Sequence, residues 1–341
     1  MRWLPFPQGV EVRGLAWFQD ESTSLARFPH EMKESLPPAA YQLGMQTAGV
    51  RLRLVTDSSS FAVRARYPEP IHSDNLTQFN KRGQALYVDG KCWSIKIPEA
   101  SKQEVELLFF HDTARTMREL CLYLPLYGEV EILAVGVDAD ARIAAAKPFA
   151  LPKPVVFYGT SITQGGCASR PGLSYEALAC RKLNLDYLNF GFSGNGKCEL
   201  VLAETLATVD AACYVLDVGP NNPPEEFRQR FEPFLQTLVE AKPQVPVLVL
   251  EPSWYNRELW SGDAQKENSH RRETVREAVS KIAKGGRVTL IKRASCTGEE
   301  FSDCTIDEVH PNDLGFMKIA QVLIPELKQT LRLKETKECA G

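Results

Sequence analysis

Long apolar runs are missing from this 341-residue chain. None approaches the roughly 20 residues of a membrane-spanning helix. The opening Met1-Arg2-Trp3-Leu4-Pro5-Phe6-Pro7 has no apolar segment of the kind a secretory leader carries. A cytoplasmic location and no membrane partner are expected. Excess charge is missing as well. Forty Lys and Arg stand against 43 Asp and Glu, a formal net charge of −3, so there is no electrostatic footprint for nucleic acid. Closely spaced cysteine pairs are also lacking. The nine cysteines are odd in number and include no Cys-x-x-Cys, so no metal site is indicated. Cys92, Cys121, Cys180 and Cys213 lie in apolar or helical surroundings and read as small buried hydrophobes of a reducing compartment. Cys296 and Cys304 bracket a short polar loop and could pair.

What is present is ordinary globular composition, 44% hydrophobic and 24% charged, over a length that suits about two domains. The first half reads as β. Gly49 to Thr56 and Ser60 to Tyr67 alternate apolar and polar or basic residues, with the turn formers Thr56-Asp57-Ser58-Ser59-Ser60 between them. That pair reads as a hairpin or meander. Ala85 to Val88 and Cys92 to Ile97 flank Asp89-Gly90, a strong two-residue turn signal. Runs at 105–110, 121–126 and 130–135 complete a set of short strands, which argues for a β-sandwich. His30, His72 and His111 are scattered and read as surface or structural histidines. Trp3, Trp17 and Trp93 admit two readings, a sugar-stacking face or the filling of a core or domain seam. The proline-rich stretch 144–154 reads as a stiff connector.

Beyond it strands and helices alternate, as in a doubly wound parallel sheet. Strands are expected at 155–159, 186–191, 211–218, 245–250 and 287–291. Helices are expected at 172–183, 199–208, 224–242, 268–284 and 313–331. The first of these strands, Val155-Val156-Phe157-Tyr158-Gly159, leads into Thr160-Ser161. In an open parallel sheet, ligands meet the protein at the carboxyl ends of the strands. Ser161 on that turn is either an exposed nucleophile or a cap for the next helix. The turns at Gly194 and Asn221 follow strands two and three and share the same edge.

A serine hydroxyl needs a base to take its proton, and the base is usually a histidine oriented by a carboxylate. Asp307 and His310, three residues apart before the final helix, can supply both. Asp307 as a helix cap is the other reading. Cys167, near Ser161, is a rival nucleophile. The backbone N–H groups of Ser161 and Gly194 and the side-chain amide of Asn221 could hold the oxyanion that ester hydrolysis generates.

The four blocks Gly159-Thr160-Ser161-Ile162, Ser193-Gly194-Asn195, Gly219-Pro220-Asn221-Asn222 and Asp307-Glu308-Val309-His310 together resemble the SGNH (GDSL-type) hydrolase superfamily. The resemblance implies a three-layer α/β/α, flavodoxin-like catalytic domain over residues 149–341. A jelly-roll-like all-β sandwich over 1–148 would precede it. It implies Ser161 as nucleophile, His310 as base, Asp307 as the orienting acid, and Ser161, Gly194 and Asn221 as oxyanion donors, with no metal or cofactor. Two positions depart from the family pattern. Thr160 and Asn222 stand where it usually has Asp, which bears on loop support and substrate preference. The run Tyr158 to Gly172 and the Leu86-Tyr87 pair look like the bacterial subgroup with an N-terminal β-sandwich, similar to carbohydrate esterases. That likeness implies hydrolysis of short acyl esters, such as O-acetyl groups on a saccharide. The alternatives are a lipase or thioesterase for longer chains and a non-catalytic carbohydrate-binding protein. Arg170 is a candidate substrate contact, or else a surface salt bridge, and Glu251 a candidate lining residue. The N-terminal half is left with three roles, shaping the site, binding sugar or forming a homo-oligomer.

Overall fold

The short alternating runs of the first half form strands, as their β-branched and aromatic content favours. The computed structural model describes residues 1–19, 22–68, 73–99, 102–283, 286–292 and 299–334. Its first half contains β1 (Arg2–Pro5), β2 (Glu11–Arg13), α1 (Pro38–Gly44), β3 (Arg51–Thr56), β4 (Phe61–Arg66), α2 (Gln78–Arg82), β5 (Gln84–Val88), β6 (Lys91–Lys96), β7 (Glu104–Phe110), β8 (Arg118–Tyr123), β9 (Glu131–Val137) and β10 (Ile143–Ala144). These make two antiparallel sheets, ordered β1-β9-β4-β7 and β10-β3-β8-β5-β6, with β2 paired to β3. Leu52, Leu54, Leu86 and Leu122 of one sheet share an apolar layer with Phe61, Val63, Leu107 and Val135 of the other. Asp89 and Gly90 both have positive φ, 48° and 77°, as the tight turn from β5 to β6 requires.

The segment 56–60 does not close a hairpin. β3 pairs with β2, β8 and β10, whereas β4 pairs with β7 and β9. The turn carries the chain from one sheet to the other, so the apolar sides of β3 and β4 meet across the sandwich instead of lying side by side. Turn chemistry encodes a change of direction but not which sheet receives the next strand. Cys92 is exposed, not buried, because β6 is an edge strand. The three tryptophans share no face. Trp3 lies under the Arg64 guanidinium, Trp17 packs on Phe28 and Phe190, and Trp93 is exposed beside Phe110. His72 and Cys296 lie outside the described residues.

The second half comprises β11 (Val155–Gly159), α3 (Ser161–Gln164), α4 (Tyr175–Leu183), β12 (Tyr187–Gly191), α5 (Leu200–Ala207), β13 (Cys213–Asp217), α6 (Pro224–Ala241), β14 (Val247–Leu250), α7 (Gly262–Ile282), β15 (Val288–Ile291) and α8 (Asp313–Thr330). The helix expected at 268–284 begins earlier, where Ser261 caps it through Ala264. The five strands are parallel in the order β12-β11-β13-β14-β15. Val156, Tyr158, Tyr214 and Leu216 point to one face with Leu202, Phe234 and Val275 of α5, α6 and α7. Val155, Phe157, Cys213 and Val215 point to the other with Tyr175 and Phe316 of α4 and α8. The three layers follow directly from that alternation. Among the described residues, no helix is long and apolar enough to cross a membrane.

β12 is an edge strand of this sheet, and the N-terminal half seals it. Its outward carbonyls are Tyr187, Asn189 and Gly191, at period two. Arg51 Nη2 donates to the first at 3.0 Å, and Arg27 Nη1 to the second and third at 2.8 Å each. Arg27 also bonds the carbonyls of Leu43 and Gln46. Burial lowers its pKa to about 9, so it stays charged at neutral pH. Arg51 pairs with Asp186 at 2.5 Å. Arg27→Met fills similar space but leaves two buried strand carbonyls without a donor. Each orphaned group costs about 1–3 kcal/mol, so a loss of about 3 kcal/mol or more is expected in urea denaturation.

Glu176 on α4 is fully buried behind the same strand and accepts from Asn189 Nδ2 at 2.8 Å. Burial raises its pKa to about 8, only partly offset by donors that include Ser174 and Asn189. The native state therefore keeps a proton that the unfolded chain loses near pH 4.5. By linkage, stability contributed by the neutral carboxyl is complete below that pH and is lost as pH rises towards 8. Glu176→Gln should flatten this part of the melting temperature against pH curve, with the variant gaining on the parent most above pH 8.

Candidate active site

β11 ends at Gly159, and a Cβ there would lie 2.2 Å from Thr163 Oγ1 and 2.4 Å from the Asp217 carbonyl. The absence of a side chain lets α3 start directly over the strand's end. Thr160, not Ser161, caps α3, its hydroxyl accepting from the Ile162 N–H. Ser161 is thus free of the capping role, and its Oγ lies 2.8 Å from His310 Nε2. On the far side of the ring, His310 Nδ1 is 2.8 Å from Asp307 Oδ2 and 3.0 Å from Oδ1. An ionised carboxylate can only accept. Nδ1 therefore carries the hydrogen, and Nε2 is left as the acceptor facing the hydroxyl.

The loop bearing Asp307 and His310 is held by its own backbone. Ile306 N–H donates to the His310 carbonyl at 2.9 Å, and Thr305 bridges Pro311. The cap of α8 is Asn312, whose side chain accepts from the Gly315 N–H, so Asp307 is not needed there. Partial burial pushes the Asp307 pKa upward. Hydrogen bonds from the His310 backbone, the Asn75 amide and the His310 ring outweigh that and hold it below the usual carboxylate range.

Gly194 follows β12 with φ 67° and would have nothing within 4 Å of a Cβ. Asn221 follows β13, and its Nδ2 donates to the Asn195 carbonyl. Asn222 Nδ2 donates to the Lys197 carbonyl at 3.2 Å. These bonds tie together the two loops that carry the oxyanion candidates. Both loops leave the parallel sheet at the carboxyl edge where Ser161 stands.

The remaining candidates are engaged elsewhere. Arg170 Nη1 donates to Tyr87 Oη at 2.9 Å and to the Pro171 carbonyl at 3.2 Å, neither of them a salt bridge. Glu251 is buried and accepts from Arg276 Nε and Nη2 at 2.7 Å each. Cys167 is buried, and burial together with the Asp307 charge raises its pKa to about 12. It is a thiol at neutral pH and a poor rival to Ser161. Donor atoms of Cys167, Asp307 and His310 lie within 4.8 Å of one another. Both ring nitrogens already have protein partners and the thiol keeps its proton, so the trio does not fit a metal site.

Several supporting residues escaped the sequence reading. Tyr127 Oη donates to the Ser161 carbonyl at 3.2 Å, and Asn80 Nδ2 to the carbonyls of Gly165 and Ala168 at 2.9 and 2.8 Å. Gln164 accepts from the Ser193 N–H and donates to Gln46 and the Leu126 carbonyl. Asn75 Nδ2 donates to Asp307 Oδ2 at 2.9 Å. Except for Gln164, all of these side chains come from the first half. No local spacing marks them, because each partner lies at least 29 residues away.

A model of the GDSL-like lipase/acylhydrolase family matches residues 152–328. A model of the N-terminus of SGNH-hydrolase-type esterases matches residues 1–143. Among solved structures, a GDSL-like lipase-type protein from Bacteroides ovatus is similar at 30% identity, covering 98% of each chain with a TM-score of 0.88. A salicylyl-acyltransferase from a tetracycline biosynthetic pathway is similar at 22% identity over 98% of this chain and 99% of its own, with a TM-score of 0.83. A family two carbohydrate esterase from Clostridium thermocellum, in complex with cellohexaose, shares the fold at 16% identity, covering 84% of this chain and 94% of its own, TM-score 0.65. No match was found among curated proteins.

Proposed function

Because the chain belongs to the GDSL-like lipase/acylhydrolase family and is a carboxylic ester hydrolase, we propose that it removes short acyl groups, acetyl above all, from a carbohydrate. The observation that carries the reading is the continuous line Asp307–His310–Ser161, with 2.8 Å at each junction. Ser161 Oγ attacks the ester carbonyl while His310 Nε2 takes its proton. The oxyanion is held by the N–H groups of Ser161 and Gly194 and by Asn221 Nδ2. Collapse returns the proton from Nε2 to the leaving alcohol. Water, activated by the same nitrogen, then hydrolyses the acyl-serine and releases the carboxylic acid. Asp307 keeps the ring in the required tautomer and offsets the imidazolium charge.

The saccharide part rests on the likeness of residues 158–172 to the carbohydrate-esterase subgroup and on the polar character of the rim. Asn75 bonds to Asp307, and Asn195 and Asn221 stand on the loops that follow β12 and β13 at the same sheet edge; such side chains pair with hydroxyls better than with an alkyl chain. Residues 1–148 are taken as the accessory unit and 149–341 as the catalytic one.

Ser161→Ala should lower kcat/KM on p-nitrophenyl acetate by about 10⁴-fold or more, with an unchanged melting temperature. Asn221→Ala should cost about 10²–10³-fold, mainly in kcat. Parent-like turnover in the serine variant rejects the assignment. Faster cleavage of octanoate than acetate esters rejects the short-acyl part alone, and acetate release from acetylated glycans tests the saccharide part.

A further inference from the structure

We propose that Asn75, from the N-terminal half, is a positioning residue for the hydrolysis, acting on Ser161 through Asp307 and His310. The proposal rests on the catalytic reading given above. Asn75 Nδ2 donates to Asp307 Oδ2 at 2.9 Å, the same oxygen that lies 2.8 Å from His310 Nδ1. Its own orientation is set from behind, where Ser73 Oγ donates to Asn75 Oδ1 at 2.8 Å. The amide therefore presents N–H, not oxygen, to the carboxylate. The result is a run of four hydrogen bonds, Ser73 to Asn75 to Asp307 to His310 to Ser161, that begins in one half of the chain and ends in the other.

The segment carrying Asn75 is built to stay in place. Lys81 Nζ donates to the Ser73 carbonyl at 3.1 Å, and Thr77 Oγ1 to the Ser169 carbonyl at 2.6 Å. Leu76 is buried in the cluster that contains Ile162, Cys167 and Ala168. A donor fixed in this way does two things for Asp307. It stops the carboxylate from rotating away from the ring, and it favours the ionised form. The other groups facing Asp307 are the His310 ring, the protonated Cys167 thiol and the adjacent Glu308, itself 3.7 Å from Arg257. Of these only Asn75 comes from the first half. The role of that half thus includes catalysis, whether or not it also binds sugar.

The test is pH-dependent steady-state kinetics on p-nitrophenyl acetate with the full chain. Asn75→Ala should lower kcat about tenfold, leave KM within about twofold, and move the acidic limb of kcat/KM to higher pH. Asn75→Asp, which is isosteric but sets a second carboxylate against the first, should move that limb further. In an Asp307→Ala background, Asn75→Ala should change the residual activity by less than about twofold, because the group it acts through is gone. An unmoved acidic limb in both Asn75 variants overturns the proposal, and so does an undiminished loss in the Asp307→Ala background. Ser161→Ala is run alongside. If that variant stays active, the catalytic reading itself fails, whereas loss of activity there with silent Asn75 variants sinks only the positioning role.

Discussion

Of the parallel sheet's two edges, β12 and β15, the protein depends on how the β12 edge is closed. A parallel strand with only one neighbour offers a row of unpaired carbonyl and N–H groups, which water must solvate or another element must pair. Here side chains do it. Arg27 and Arg51 reach the carbonyls of 187, 189 and 191 from the N-terminal half, and the N–H groups of Tyr187 and Gly191 are taken by the Asp186 and Asn189 side chains. Guanidinium is suited to the task because it offers several donors in a fixed plane and keeps its charge when buried. The arrangement makes the two halves one object. Phe28 and Tyr41 of the first half belong to one face of the catalytic core, and Tyr87, Tyr123 and Tyr127 to the other.

Closing that edge also aims the active site. From the sealed strand, the N-terminal half continues round the carboxyl side of the sheet, where Asn80 and Tyr127 hold the backbone that follows Ser161. Gln46 and Gln164 connect it to the loop before Gly194. A loop of a parallel sheet would otherwise be free to shift by an ångström or more. Proton transfer between Ser161 and His310 needs hydrogen-bond distance, so such a shift matters. Side chains of the N-terminal half thus add to the bonds that the second half's own loops make with one another.

Much of this was legible in the chain. All five parallel strands could be placed from apolar runs, four of them ended by glycine, Asp or Glu-Pro. The four blocks could be assembled at one edge because strand ends in such sheets share a side. Legibility stopped where a residue's role depends on a partner across the fold. Arg51 and Arg53 alternate with leucines as though they faced solvent, yet both are buried at 3% exposure. The four residues between β3 and β4 carry the signature of a hairpin but cross between sheets, since only the packed sandwich decides which strand is the neighbour. Glu251 and Arg170 sat near the right edge in sequence and were reasonable site candidates. Each instead has a tertiary partner, Arg276 or Tyr87, that no spacing reveals.

The departure at position 160 shows how the same constraint acts at the level of one side chain. The family pattern usually has Asp there, and this chain has Thr. A carboxylate in a fully buried turn would need donors to offset its desolvation, and Thr160 is fully buried. The hydroxyl meets the turn's local requirement, capping α3 through Ile162, without bringing a charge next to the Ser161 hydroxyl. With Glu176 neutral over much of the pH range and Cys167 protonated, the carboxylate that the imidazole meets directly is Asp307. That carboxylate lies beside Nδ1, on the far side of the ring from Ser161.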